Sequence, residues 1–408
     1  MRPPHLFMIA GEPSGDLLGA ALIRGLRTLC GPCLRLEGVG GPAMEGEGFR
    51  SRFPMEELSV MGIAEVLPRL PNLLRRIRET TEAVIAARPD ALVTIDSPDF
   101  CLRVARRARK VLPDLKVIHY VAPSVWAWRP KRADKMAKAV DHVLALLPFE
   151  PPYMRAAGMT CDFVGHPVAG TPRVSANEIQ SLRSELGIDA KRKVLVVLPG
   201  SRGSEVRRLG PVFREVVDRL RASEPDLAVV VPTVEPMFDE VSALLGTSGE
   251  GRAIFLRTEK GAAASASDRR KHVAFAMADA ALAASGTVSL ELAAHGTPMV
   301  IAYGANPITA AILRRMVRLD TVTLVNLVTN TRSVPEFLLE DCTPEKIAPA
   351  VALLLADTDA ANAQRDAADR AMELLGRGGE APGLRAARSV LGAVATVRVE
   401  GSLPHLRG

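Results

Sequence analysis

Two successive series of short apolar runs, each run followed by a loop and usually by a stretch of helical period, constrain this chain more than any other feature. The runs fall at 6–10, 34–39, 91–95, 117–121, 142–146 and 161–164, and then at 193–198, 227–231, 253–256, 280–283 and 298–302. Strands alternating with helices build a parallel sheet. The runs are continuously apolar, as strands must be when helices cover both faces of their sheet. Between the two series, Gly165-His166-Pro167-Val168-Ala169-Gly170-Thr171-Pro172 breaks both periods, and a helical pattern resumes at 176–186. The chain is therefore expected to be an α/β protein of two Rossmann-like domains, 1–170 and 171–378, with the boundary inside 165–190. The last helical stretch comes after the second sheet should be complete, so 379–408 is expected to pack back on the first domain. Two such domains leave a cleft between the carboxyl ends of their sheets, where ligands of these folds sit.

Composition narrows the partner. At 408 residues, 48% hydrophobic and 24% charged, the chain is neither disordered nor fibrous. Only 4% is aromatic, which argues against a base-stacking nucleic-acid binder despite the net charge of +6. The positive excess calls for a phosphorylated small molecule or an anionic membrane surface. The five apolar residues before Gly11-Glu12 are too few for a signal-peptide core, and no apolar stretch reaches transmembrane length, so the cytoplasm is the expected compartment. Five cysteines in a chain this size are expected to be reduced thiols. Cys30-Gly31-Pro32-Cys33 spells a redox tetrapeptide, but Cys30 ends a helical pattern instead of opening one, so no activated thiolate is expected.

Four loops at strand ends carry chemistry. Gly11-Glu12-Pro13-Ser14-Gly15-Asp16 lacks the dinucleotide spacing, and its two carboxylates would repel a pyrophosphate. They suit sugar hydroxyls or acid–base work. Ser14 or Asp16 also fits the cap of the next helix; Glu12 has no such role. In Asp96-Ser97-Pro98-Asp99-Phe100, Ser97 or Asp99 suits the cap of a helix opened by Pro98, leaving Asp96 the better base candidate. In Leu198-Pro199-Gly200-Ser201-Arg202-Gly203-Ser204-Glu205, glycines, the hydroxyls of Ser201 and Ser204, a helix N-terminus and Arg202 together favour a diphosphate. Ser285, Gly286 and Thr287 form a second such turn. Glu291 beyond them is placed either for a ribose diol or simply for the dipole of its own helix.

Two surfaces remain ambiguous. Val60, Met61 and Ile63 begin an apolar stretch interleaved with Arg69, Arg75, Arg76 and Arg78, which is either a core face or a lipid-facing one. Trp126 and Trp128 stand beside Arg129, Lys131 and Arg132, suiting a sugar face, an interface or buried packing. Asp357-Thr358-Asp359 has a metal-site spelling but lies far from any strand end, and His166 and His295 are isolated, so no metal is expected.

These segments, with Val60-Met61-Gly62-Ile63-Ala64-Glu65-Val66-Leu67, Pro123-Ser124-Val125-Trp126-Ala127-Trp128-Arg129, Leu146-Leu147-Pro148-Phe149-Glu150, Gly296-Thr297-Pro298-Met299-Val300 and Val334-Pro335-Glu336, resemble the lipid-A-disaccharide synthase family over nearly the whole chain. The resemblance implies a GT-B fold, with UDP held by the second domain and the acceptor by the first. It implies inverting transfer of 2,3-diacylglucosamine from UDP to 2,3-diacylglucosamine 1-phosphate (lipid X), with no metal or cofactor. On this resemblance Asp96 is the base, with Glu12 and Asp99 as alternates. Ser201, Arg202, Ser285, Gly286, Thr287, Glu291, Asn326 and Glu336 face UDP. Ser14, Val60, Met61, Ile63, Arg69, Arg75, Arg76, Trp126 and Trp128 face acceptor or lipid. It also implies peripheral attachment to the anionic inner membrane from the cytoplasm; a homodimer is compatible with the sequence, and a nucleic acid is not expected. Val325, Leu339 and Cys101 depart from the family pattern. The rivals are a UDP-sugar 2-epimerase of the same fold, which has no need of the apolar–basic stretch, and a non-catalytic lipid-binding protein, which needs neither Arg202 nor Glu291.

Overall fold

The computed structural model describes residues 4–31, 33–58, 63–126, 131–246, 253–258, 264–305, 320–356 and 358–400. The chain divides into two compact units, residues 1–170 with 378–408, and residues 171–377. Each is built on one parallel six-stranded sheet.

The first sheet comprises β1 (His5–Ala10), β2 (Arg35–Val39), β3 (Ala91–Ile95), β4 (Lys116–Tyr120), β5 (His142–Ala145) and β6 (Thr160–Phe163), in the order β2-β1-β3-β4-β5-β6. Alternate side chains serve opposite faces, and both faces are covered. Phe7, Ile9, Leu92 and Val117 pack with Ile77, Val84 and Val104, while Leu6, Met8, Val93 and Ile95 pack with Leu22, Ile23, Leu26, Ala386 and Val390. That double coverage explains why these strands read as unbroken apolar runs. Helix Pro382–Glu400 lies against helix Pro13–Cys30 within this unit. Their backbones meet at a glycine pair: a Cβ on Gly25 would stand 2.4 Å from the carbonyl oxygen of Gly383, and one on Gly383 2.4 Å from that of Ala21.

The second sheet comprises β7 (Val194–Leu198), β8 (Ala228–Val234), β9 (Ile254–Thr258), β10 (Ala280–Ala284), β11 (Met299–Tyr303) and β12 (Glu336–Leu338). Its order, β12-β11-β10-β7-β8-β9, read from the other edge, is the doubly wound nucleotide-binding order. β12 is absent from the sequence reading because three half-buried edge residues leave too little periodicity to detect. Helix Ala176–Glu185 opens on a capping box, Ser175 Oγ accepting from Glu178 N–H while Glu178 accepts from Ser175 N–H.

Candidate active site

In doubly wound sheets the loops part at the point where strand order reverses, leaving a crevice at the carboxyl ends of two adjacent strands. That point lies between β1 and β3 in the first unit and between β7 and β10 in the second. All four loops singled out by their chemistry stand at these two places.

In the first unit, Asp96 and Ser97 follow β3 with φ of +52° and +42°, and Val121 follows β4 with φ of +84°. Left-handed backbone at non-glycine residues costs on the order of 1 kcal/mol apiece and persists only where neighbours enforce it. The sheet enforces it here, Asp96 N–H donating to Tyr120 O and Val121 N–H to Leu144 O, both at 3.0 Å. Asp96 Oδ1 accepts Ser97 N–H at 2.9 Å, and its Oδ2 stands 3.5 Å from Ser14 Oγ. Asp96 and the exposed Asp99 line a cavity of about 420 Å³ with Arg103, Arg106 and His119. His119 is 1% exposed, its Nδ1 is 2.7 Å from Thr94 Oγ1, and burial lowers its pKa to about 4, so it is neutral.

The capping expectations need correction. Glu12 itself holds the N-cap position of helix Pro13–Cys30 without a side-chain cap bond. Asp16 turns away and accepts N–H bonds from Gly41, Ala43 and Met44 at 2.8, 2.8 and 3.0 Å, so it caps the neighbouring helix Pro42–Gly46. Ser97 caps by position only; its hydroxyl donates to Glu12 instead.

In the second unit a cavity of about 470 Å³ is lined by Ser201, Arg202, Ser285, Gly286, Thr287 and Glu291, which brings together six of the eight residues expected to face UDP. Gly200 turns the loop with φ of +122°. Arg202 stands at the N-cap of helix Gly203–Ser223, so free N–H groups and a guanidinium meet there. Glu205 folds back onto this place, its Oε2 accepting Ser201 N–H at 3.3 Å and its Oε1 lying 3.2 Å from Arg202. Glu291 Oε2 lies 2.8 Å from Lys271 Nζ. Sequence reasoning missed Lys271, which lines the same cavity from mid-helix within a run of charges, where no loop motif marks it.

The other two residues expected at UDP do not line this cavity. Asn326 is wholly buried and saturated, donating to Thr321 Oγ1 and Val334 O and accepting Val334 N–H. Glu336 accepts from Thr321 Oγ1, Val322 N–H and Thr323 N–H. Both brace the 321–334 segment and neither lines the cavity. Of the departures, Val325 and Cys101 are fully buried core residues that line neither cavity. Leu339 takes a left-handed φ of +55° just after β12.

Two expected acceptor or lipid contacts are also spent on packing. Trp126 meets Phe149 edge-on at 5.2 Å and donates through Nε1 to Glu150 at 3.3 Å. Arg76 is bonded to Glu57 and Glu79 and lies over the Phe53 ring at 4.3 Å. Arg75 is exposed. Val60, Met61 and Trp128 lie outside the described residues, as do the side chains of Ile63 and Arg69. Cys30 and Cys33 are free, and burial raises the Cys30 thiol, the reverse of activation. Among the described residues no group of three or more His, Cys, Asp or Glu is placed to hold a metal ion.

Two Rossmann-like units, each with its chemistry gathered at a switch point, define a protein of the GT-B fold. Solved structures share it: the S. aureus MnaA–UDP co-structure matches with a TM-score of 0.65 at 14% identity, covering 99% of this chain and 100% of that one. The calicheamicin glycosyltransferase CalG4 matches with 0.52 at 17% identity, covering 97% and 100%. At such identities the likeness shows the fold alone. Sequence carries the rest. The family model for lipid-A-disaccharide synthetase matches residues 6–381. The lipid-A-disaccharide synthase of Ruegeria pomeroyi is 58% identical over 391 residues, covering 96% of this chain and 95% of that protein, and that of Rhodospirillum centenum is 47% identical, covering 97% and 96%. The chain belongs to the lipid-A-disaccharide synthetase family and is a glycosyltransferase.

Proposed function

We propose that the enzyme transfers 2,3-diacylglucosamine from UDP to the primary hydroxyl of 2,3-diacylglucosamine 1-phosphate, giving a β-1,6-linked disaccharide 1-phosphate and UDP. The observation that carries this is the division of chemistry between two switch points: a helix N-terminus with Arg202, Ser201, Ser285 and Thr287 in one unit, and a cavity-lining Asp96 in the other.

Asp96 takes the hydroxyl proton as the oxygen attacks the anomeric carbon from the face opposite UDP. The bond from that carbon to the diphosphate oxygen breaks, which inverts an α-linked donor. Arg202, the hydroxyls and the N–H groups at the start of helix Gly203–Ser223 receive the charge growing on the leaving diphosphate. Glu291 takes the ribose diol. Neutral His119 is hydrogen-bonded to Thr94, which leaves the proton-accepting role to Asp96.

Both substrates carry acyl chains, and the reading extends to peripheral attachment at the anionic cytoplasmic face of the inner membrane. Helix Ile63–Ala87 supports it, with Leu70 and Leu74 exposed beside Arg75 and Arg78. No described helix is long and apolar enough to cross a membrane.

Incubation with UDP-2,3-diacylglucosamine, with and without the monosaccharide phosphate, tests the reaction. Disaccharide formed only with both substrates supports it. An epimerised donor, or no product, would overturn it.

A further inference from the structure

The cavity that Asp96 lines is more cationic than removing a proton from a hydroxyl requires. Helix Pro98–Arg109 contributes Arg103 and Arg106 to its wall, and helix Lys131–Ala137 contributes Arg132 and Lys135. On each helix the two cations are three residues apart and so share a face. Arg106 Nη2 donates to the carbonyl of Lys135 at 3.1 Å, which fixes one cationic face beside the other. Asp96 and Asp99 are the acidic residues among the described lining residues. Asp96 takes its own hydrogen bonds from Ser97, on the loop after β3, and from Ser14, in the first turn of helix Pro13–Cys30.

We infer that this cationic flank binds the phosphomonoester of the acceptor, anchoring the sugar by its anomeric end while the primary hydroxyl is presented to Asp96. The inference rests on the transferase reading above and deepens it. A phosphomonoester carries close to two negative charges, and guanidinium forks match its oxygens in pairs. The cavity, at about 420 Å³, has the size of a site for one small ligand. The nucleotide's diphosphate has its own loops in the second unit and needs none of these cations. The other source of the same chemistry is a phospholipid headgroup.

The test is steady-state kinetics of Arg103→Gln and Lys135→Gln, singly and combined, with the acceptor and with the same acylated sugar lacking its phosphate. The wild type should favour the phosphorylated acceptor. Each variant should raise KM for that acceptor about tenfold while leaving kcat, donor KM and the KM of the phosphate-free sugar nearly unmoved. Melting curves check that both variants fold. In the wild type, glucosamine 1-phosphate should compete with the acceptor, and phosphatidylglycerol vesicles should not. An unchanged ratio of the two acceptor KM values, or competition by the vesicles alone, overturns the inference and leaves the transferase standing. If the wild type joins the donor to neither acceptor, the transferase reading itself falls.

Discussion

Ser97 Oγ donates to Glu12 Oε1 across 3.2 Å, joining the loop after β1 to the loop after β3, while the Ser97 N–H holds Asp96 Oδ1 at 2.9 Å. One serine thus restrains two carboxylates and leaves Asp96 Oδ2 with only a 3.5 Å approach from Ser14. That oxygen is the one available to a substrate proton. Asp96→Asn keeps the shape and removes the base, so kcat should fall by about 10²–10⁴ with the melting temperature and UDP affinity unchanged. Glu12→Gln should cost far less. Near-normal turnover in Asp96→Asn would move the role to Glu12 or Asp99.

The parallel strands and the chemical loops were legible because both signals are local. A strand buried on both faces must be a continuous apolar run, and a helix must begin where the chain turns after it. What sequence could not show was the destination of each side chain. Arg76 and Trp126 sit in patterns that suit a lipid or sugar surface, yet Glu57, Phe53, Phe149 and Glu150 claim them through contacts distant in sequence. Asp16 resembles a cap for its own helix, but the chain brings residues 41–44 close enough to use it first. Arg103 and Arg106 have a sequence signal, cations at i and i+3 after a carboxylate-bearing strand end, that becomes specific only once a second helix adds Arg132 and Lys135.

Glu205 accepts Ser201 N–H and pairs with Arg202, at the place where the proposed reading puts the diphosphate. On that reading UDP displaces it. Removing its charge in Glu205→Gln should therefore tighten UDP by about fivefold in titration calorimetry, about 1 kcal/mol for one charge-assisted contact no longer competed for. The helix loses a carboxylate from its first turn, which should lower stability by about 0.5 kcal/mol. Weaker UDP binding would instead mean that Glu205 holds the loop in its receptive form.

On helix Ile63–Ala87 the membrane reading keeps Arg75 and moves from Arg76 to Leu70, Leu74 and Arg78. Arg76 is unsuitable as a probe because its hydrogen bonds, ahead of those of Asn72, hold the Glu57 carboxyl down at about 2. Leu70 and Leu74 are exposed and make no such commitment. Leu70→Ser with Leu74→Ser should weaken sedimentation with anionic vesicles by roughly tenfold, from the apolar area no longer buried in lipid. Arg75→Glu with Arg78→Glu should weaken it mainly at low salt. Unchanged sedimentation in both pairs would remove this helix from the membrane contact.

Two buried groups should pull stability in opposite directions over overlapping pH ranges. Glu150 is 4% exposed, and burial raises its pKa to about 7 against the bonds from Leu147 and Trp126 that favour its charge. The folded chain therefore keeps a proton that the unfolded chain gives up, and stability declines as pH rises from about 4.5 through 7. A shift of this size amounts to about 3 kcal/mol at most. His119 acts in the opposite sense. Burial holds its folded pKa near 4, so the unfolded chain gains the proton first and stability declines as pH falls from about 6.5 towards 4. Between about pH 4.5 and 6.5 the two effects oppose each other, so Glu150→Gln should steepen the rise in melting temperature over that range and remove the decline just above it. If Glu150→Gln leaves the pH profile of the melting temperature unchanged, Glu150 does not supply the opposing effect.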